Sequence, residues 1–181
     1  MNDSSLTAGR TGLISEGADS RFDDYAVGWI SGGGGSAPAI TIDGQISPSN
    51  EWNYNALASA ASGNSRTMKA TNDSQYLYIC LQGSSLNSYS HYDIFLDKNI
   101  NQDDFLVEDG TLYKWNGSSW VSQGAISWSV GSTAIEIKIA LSALGKSTGS
   151  VINLIAGFVD SSWNWQEALP RSGSGPAYTI K

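Results

Sequence analysis

Between Ala134 and Ile139 the chain reads Ala-Ile-Glu-Ile-Lys-Ile, three isoleucines alternating with a glutamate and a lysine. A period of two belongs to a strand with one face buried and the other wet, because successive side chains leave opposite sides of a pleated backbone. Short segments of this kind, each closed by turn residues, recur along the chain. Ala39 to Ile42 ends at Asp43-Gly44, and Arg66 to Thr71 and Gln75 to Leu81 flank Asn72-Asp73-Ser74. Tyr92 to Leu96 follows, and then Asp104 to Val107 and Thr111 to Trp115 flank Glu108-Asp109-Gly110. Asn116-Gly117 is a strong turn signal leading to Trp120 and Val121, and Ile126 to Val130 turns at Gly131-Ser132. Val151 to Val159 is the longest apolar run, which predicts a central strand, and Ala177 to Ile180 closes the chain. Ala140 to Leu144 has room for a single helical turn. About ten strands at regular spacing without a long helix predict an all-β fold, an antiparallel, jelly-roll-like β-sandwich.

Composition narrows the function classes. The 181 residues suit one domain with a modest extension. With 15% charged and 10% aromatic residues the chain is neither an acidic disordered tail nor a helical bundle. The net charge is −7, and the ten lysines and arginines are scattered, so electrostatic binding to nucleic acid is excluded. No apolar run is long enough for a membrane-spanning helix. Ser31 to Ala37, Ser-Gly-Gly-Gly-Gly-Ser-Ala, reads as a flexible linker, here bounded as residues 31–38. Residues 1–30 are too few to bury a core and read as the last strands of an upstream domain or as an edge extension, leaving 39–181 as the main domain. Met1 is followed by polar residues without an apolar core, which predicts no signal peptide in this stretch. Either the protein is cytoplasmic or the chain is a fragment cut from a longer secreted or cell-surface protein, and as an isolated module it is expected to be a monomer.

Catalysis finds little support. Cys80 is the lone cysteine, in an apolar run that reads as core, and His91 is the lone histidine, in a loop rich in Ser and Tyr. Without a Gly-x-Ser-x-Gly elbow or a phosphate-cradling loop, no nucleophilic or nucleotide chemistry is expected, and the carboxylates read as turn residues. The segment Asp-Lys-Asn-Ile-Asn-Gln-Asp-Asp places oxygen-bearing side chains at Asp97, Asn99, Asn101, Asp103 and Asp104. Alternating Asp and Asn either wraps Ca²⁺ or closes an ordinary Asx-rich turn.

The aromatics carry more information. Seven Trp and eight Tyr outnumber four Phe, and Trp and Tyr suit surfaces that are apolar yet wet. Trp52, Trp115, Trp120 and Trp128 read as packing residues. Trp163 and Trp165, two apart in Asp-Ser-Ser-Trp-Asn-Trp-Gln, are expected in a loop, sharing a face in extended geometry. A sugar ring presents a face of aliphatic C–H edged by hydroxyls, which an indole plate rimmed by Asn, Gln and Asp complements. On that reading Trp163 and Trp165 form a stacking platform, Tyr89 stands opposite, and Asp93, Asn164 and Gln166 bond hydroxyls.

Two stretches resemble known families. Gly9, Gly12, Leu13, Phe22, Asp23, Asp24 and Val27 resemble the C-terminal hairpin of concanavalin-like, laminin-G-type jelly rolls, which implies a modular extracellular protein. From Ala39 to Lys181 the order ITIDGQISPSNEWN, NDSQYLYICLQ, YDIFLDKN and AIEIKIALSALG resembles family 9-like carbohydrate-binding modules and related DOMON-type sandwiches. That resemblance implies a non-catalytic β-sandwich that binds a polysaccharide or oligosaccharide, often with structural Ca²⁺, and serves an attached polysaccharide-degrading enzyme. It places Asp93 at the family's sugar-contacting acidic position. It also places Tyr89 and either Trp163 or Trp165 near an aromatic pair that sandwiches a terminal sugar. The DOMON side includes haem proteins ligated by Met and His, for which Met68 and His91 would be the pair. The alternatives are a structural cell-surface sandwich without a sugar site and a haem-binding domain.

Overall fold

A computed structural model of the chain describes residues 39–62, 64–97, 104–170 and 175–181. The upstream hairpin and the Gly-rich linker expected from the sequence lie outside the described residues, as do Asn99, Asn101 and Asp103.

Twelve strands form among the described residues: β1 (Ala58–Ser62), β2 (Asn64–Asn72), β3 (Tyr76–Gln82), β4 (His91–Leu96), β5 (Phe105–Glu108), β6 (Thr111–Trp115), β7 (Trp120–Ala125), β8 (Ser127–Val130), β9 (Ala134–Ala140), β10 (Val151–Val159), β11 (Trp165–Leu169) and β12 (Ala177–Thr179). The single helical turn, α1 (Leu141–Leu144), stands where the sequence placed it and ends at Gly145 in the left-handed region. One sheet runs β1-β2-β3-β9-β8, and the other runs β11-β10-β4-β5-β6-β7 with β12 also pairing with β10. All pairings are antiparallel. Among the described residues no helix is long and apolar enough to cross a membrane.

The two sheets face each other across one core. Met68, Ile79 and the isoleucines 135, 137 and 139 enter it from the first sheet, and Ile94, Val107, Leu154 and Phe158 from the second. The alternation visible in β9 is thus spent on this layer, and so is that of β10, which lies inside its sheet between β4 and β11 as its apolar run predicts.

The outward side of the first sheet is covered in part, around Glu136. Glu136 points away from the core yet is wholly buried, because residues 40–54 lie over it with Trp52, Ile40, Ile46 and Tyr54. Its carboxylate accepts the Trp52 indole N–H at 2.6 Å and the backbone N–H groups of Asp43 and Gly44 at 3.0 and 2.8 Å. Burial pushes the Glu136 pKa up, and these three donors pull against that rise. Close contact here requires two glycines. A Cβ on Gly131 would meet the Gly44 oxygen at 2.0 Å, and Gly44 itself has φ +80°.

This strap corrects one expectation. Ala39 to Ile42 is not a strand. The Thr41 N–H donates to the buried Glu51 carboxylate at 2.6 Å instead of to a neighbouring strand, and Glu51 also accepts from the Ser47 N–H at 3.2 Å. Two strands were not legible. β1 is made of Ala and Ser, which carry no strand signal, and β11 begins at Trp165, inside the segment read as a loop.

Removing the Glu136 carboxylate strands three donors at once, two of them buried. Glu136→Ala is expected to lower unfolding stability by about 3 kcal/mol, read by urea denaturation with an unchanged m-value. The nearby thiol of Cys80, fully buried and pushed upward in pKa chiefly by that burial, is expected to react with a disulfide reagent only after unfolding.

Candidate functional site

The outward side of the second sheet is built differently. On β4 the residues facing away from the core are His91, Asp93 and Phe95, because Tyr92, Ile94 and Leu96 are buried between the sheets. Each outward residue meets an aromatic ring from elsewhere. His91 stacks on Trp163, with ring centroids 3.8 Å apart and planes 10° from parallel. Asp93 accepts the Trp165 indole N–H at 3.1 Å. Phe95 packs against Trp165 at 5.8 Å and against Trp120 at 6.0 Å.

Trp165 reaches this face because of a β-bulge. β10 and β11 pair Phe158 with Glu167 but Val159 with Trp165, so Gln166 is the extra residue on β11. In an unbroken strand Trp165 would share a face with Glu167 and Leu169, which point inward; the bulge turns it outward. Gly157 then provides its seat. A Cβ at that position would meet the indole at 2.8 Å, so only bare backbone allows the ring to lie against β10.

Trp163 is held by its loop. The Asp160 carboxylate accepts the backbone N–H groups of Ser162 and Asn164 at 2.8 and 3.0 Å and the Gln166 side-chain amide at 2.7 Å. Trp163 itself adopts φ +64° and donates its N–H to the Asp160 carbonyl at 3.1 Å. Its stacking partner is fixed in turn, since His91 Nδ1 lies 2.7 Å from the Asp109 carboxylate and Asp109 also accepts the Tyr92 N–H at 3.0 Å. Trp163 and Trp165 remain the most exposed aromatics among the described residues, at 53% and 42%. The rim is acidic, because Glu108 lies directly across the pair from Asp93 and beside Asp109. Burial first, and then these two neighbours, push the Glu108 carboxyl upward in pKa.

The structure sorts the residues named from sequence. Trp163, Trp165 and Asp93 come together on one face, although the left-handed turn at Trp163 and the bulge after Trp165 bring this about rather than an extended pair. Asn164 and Gln166 are exposed and direct their side-chain amides to Asp160, so they brace the loop. Tyr89 turns the other way. Its ring leans on the core residue Phe158 at 5.2 Å, and its hydroxyl donates to Glu167 at 3.1 Å beside the buried Arg66. His91, Asp109, Gly157 and Glu108 were not read as residues of a sugar site. Glu108 and Asp109 are adjacent in a turn, but only the pairing of β4 with β5 and β10 brings them, His91 and Gly157 to one face.

Two further expectations concern bound groups. Asp97 has one oxygen on the Lys146 ammonium at 2.5 Å and the other on the Asn153 N–H at 2.8 Å, and the Asn99 and Asn101 expected beside it lie outside the described residues. Asp104 is buried, and its carbonyl accepts the Trp115 N–H at 2.9 Å. Among the described residues no three His, Cys, Asp or Glu side chains gather closely enough to hold a metal. The Met68 and His91 pair is separated by the sandwich: Met68 lies wholly inside the core on β2, and His91 lies on the outer face of the opposite sheet. They cannot ligate one haem.

No protein-family model matches the chain, and no curated protein matches it significantly. Among solved structures the chain is similar to a family 9 carbohydrate-binding module from Caldicellulosiruptor kristjanssonii in complex with cellotriose, at 17% identity and a TM-score of 0.44, over 72% of this chain and 78% of that one. A structure of a family 9 module from the same organism in complex with glucose matches at 20% identity and a TM-score of 0.41, over 74% and 82% of the two chains.

Two predictions follow from the seats of the rings. Gly157→Ala is expected to lift the Trp165 indole off β10 and break its bond to Asp93, at a cost of about 1 kcal/mol, read as a shifted Trp165 indole N–H resonance and a lower midpoint in urea. The hydrogen bond from the Asn164 N–H, foremost, holds Asp160 below its ordinary pKa of 3.8 in the folded protein. A lowered folded value means that the carboxylate supports the loop above 3.8 and loses that role as pH falls through the lower value. The Asn164 backbone amide resonance, whose proton that carboxylate accepts, is therefore expected to mark the loss by moving only below about pH 4, whereas Asp160→Ala shows the displaced position throughout.

Proposed function

We propose that the chain is a non-catalytic carbohydrate-binding module whose site is the outer face of the second sheet. The observation that carries this reading is the pair of exposed indoles, Trp163 and Trp165, each fixed edge or face by a separate partner. An exposed aromatic with no task usually lies loosely; these two are held rigid, one by His91 and Asp109, the other by Gly157 and Asp93. Rigidity lowers the entropic cost of binding, because the rings lose little freedom when a ligand arrives.

The mechanism is stacking plus rim contacts. A sugar laid on one indole buries about 50 Å² of aliphatic C–H, worth on the order of 1 kcal/mol. His91 and Asp93, which anchor the two rings, are alternate residues of β4 and hence about 7 Å apart, so neighbouring sugars of one ligand can each meet a ring. Glu108 and Asp109 offer acceptors to hydroxyl groups beside the plates, while Asp93, itself buried, holds Trp165 in place. Two stacked sugars with a few such bonds give a Kd of roughly 10⁻³ to 10⁻⁶ M, an affinity suited to tethering. Asn164 and Gln166 contribute by bracing the loop, and Tyr89 by supporting the sheet beneath. Service to an attached polysaccharide-degrading enzyme in a secreted or cell-surface protein completes the reading.

Affinity electrophoresis against soluble glycans tests it. At least one glycan is expected to retard the wild-type chain, with Trp163→Ala and Trp165→Ala each weakening retention about tenfold in Kd, the equivalent of one lost ring contact. Absence of retardation by every glycan, or equal retardation of both variants and the wild type, points instead to a structural sandwich without a sugar site.

A further inference from the structure

The exposed indoles are the beginning of a longer apolar band. From Trp165 it passes to Phe95 at 5.8 Å, from Phe95 to Trp120 at 6.0 Å, and from Trp120 to Trp115 at 5.3 Å. These residues sit on β11, β4, β7 and β6, so the band crosses most of the second sheet on its outward side. Phe95, Trp115 and Trp120 are half-buried, and Leu106, outward on β5 and paired with Phe95, is covered. Each ring therefore keeps part of its surface open to a ligand. A single sugar needs one or two rings, and this band supplies several in sequence.

Its shape and charge narrow the ligand. Successive rings are turned by 38°, 58° and 61° relative to one another. A crystalline polysaccharide is flat and would touch such rings one at a time, whereas a single chain in solution twists and can follow them. Asp93, Glu108 and Asp109 flank the start of the band, and a chain of uronic acids would set like charges against them. An uncharged chain meets no such penalty.

We infer that the site takes an internal stretch of a soluble, uncharged polysaccharide, laid from Trp165 over Phe95 to Trp120 and Trp115. This rests on the sugar-binding reading above and specifies the ligand for that same face. The ring at Trp120 is a contact for sugars beyond those on Trp163 and Trp165, so affinity depends on chain length, and no free end of the polysaccharide is required.

Isothermal titration with cello-, xylo- and manno-oligosaccharides from disaccharide to hexasaccharide separates the possibilities. For the series that binds, affinity is expected to rise about tenfold or more with length, and Trp120→Ala to flatten that rise. Hexasaccharides reduced with borohydride at their reducing ends are expected to bind as well as the parent sugars, and polygalacturonate and microcrystalline cellulose not to bind. The wild-type length series and the reduced sugars serve as the test if Trp120→Ala fails to fold. Affinity that is independent of length, or lost on reduction of the end, overturns the inference in favour of a chain-end pocket at Trp163 and Trp165, with the sugar-binding reading intact. Failure of the wild type to bind any glycan removes both.

Discussion

One buried layer between two antiparallel sheets governs everything else in the molecule. Each strand must give alternate residues to that layer, and the remaining residues are then committed to an outer face. In β9 this sends the isoleucines inward and Glu136 outward; in β4 it sends Tyr92, Ile94 and Leu96 inward and His91, Asp93 and Phe95 outward. The two outer faces have opposite fates. The first is covered around Glu136 by residues 40–54, which donate three hydrogen bonds to that carboxylate. The second stays partly open and gathers rings on β4.

The inner layer was the legible part of the sequence. Strong alternation or long apolar runs marked β3, β9 and β10, and turn residues marked the hairpins β2–β3, β5–β6 and β8–β9. The strap was misread because Ile40 and Ile42 imitate a strand, while the groups that satisfy its backbone are side chains brought from elsewhere, Glu51 and Glu136. Such bonding has no period and leaves no local signature. The loop at 116–119 is the contrasting case, where a local signal was enough. The expected turn forms, with Gly117 at φ +97° and the Asn116 N–H donating to the Ser119 carbonyl at 3.1 Å, and the Asn116 side chain also accepts the N–H groups of Ser118 and Ser119.

The site was legible in its residue types and not in its geometry. Indoles near turn residues pointed to Trp163 and Trp165 because an apolar ring in a polar loop has no core to fill. Their partners lie on other strands. His91 and Gly157 are an unremarkable loop histidine and strand glycine until β4 and β10 pair, after which one supports a ring and the other makes room for one. Tyr89 shows the converse error. Close to the site in sequence, it is drawn to Phe158, Arg66 and Glu167 at the edge of the core.

That edge has a consequence for the opposite side of the sheet. Arg66, on β2 and only 1% exposed, lies over the faces of Tyr89 and Phe158 and pairs with Glu167 on β11, tying one sheet to the last long strand of the other. Glu167 is thereby fixed pointing inward, and with a single supernumerary residue at position 166 the indole beyond it has no choice but to point out. A hidden ionic latch and one miscounted step in the pleat thus set the handedness of the display: slippage of this strand by a single notch would withdraw the aromatic surface without altering its composition.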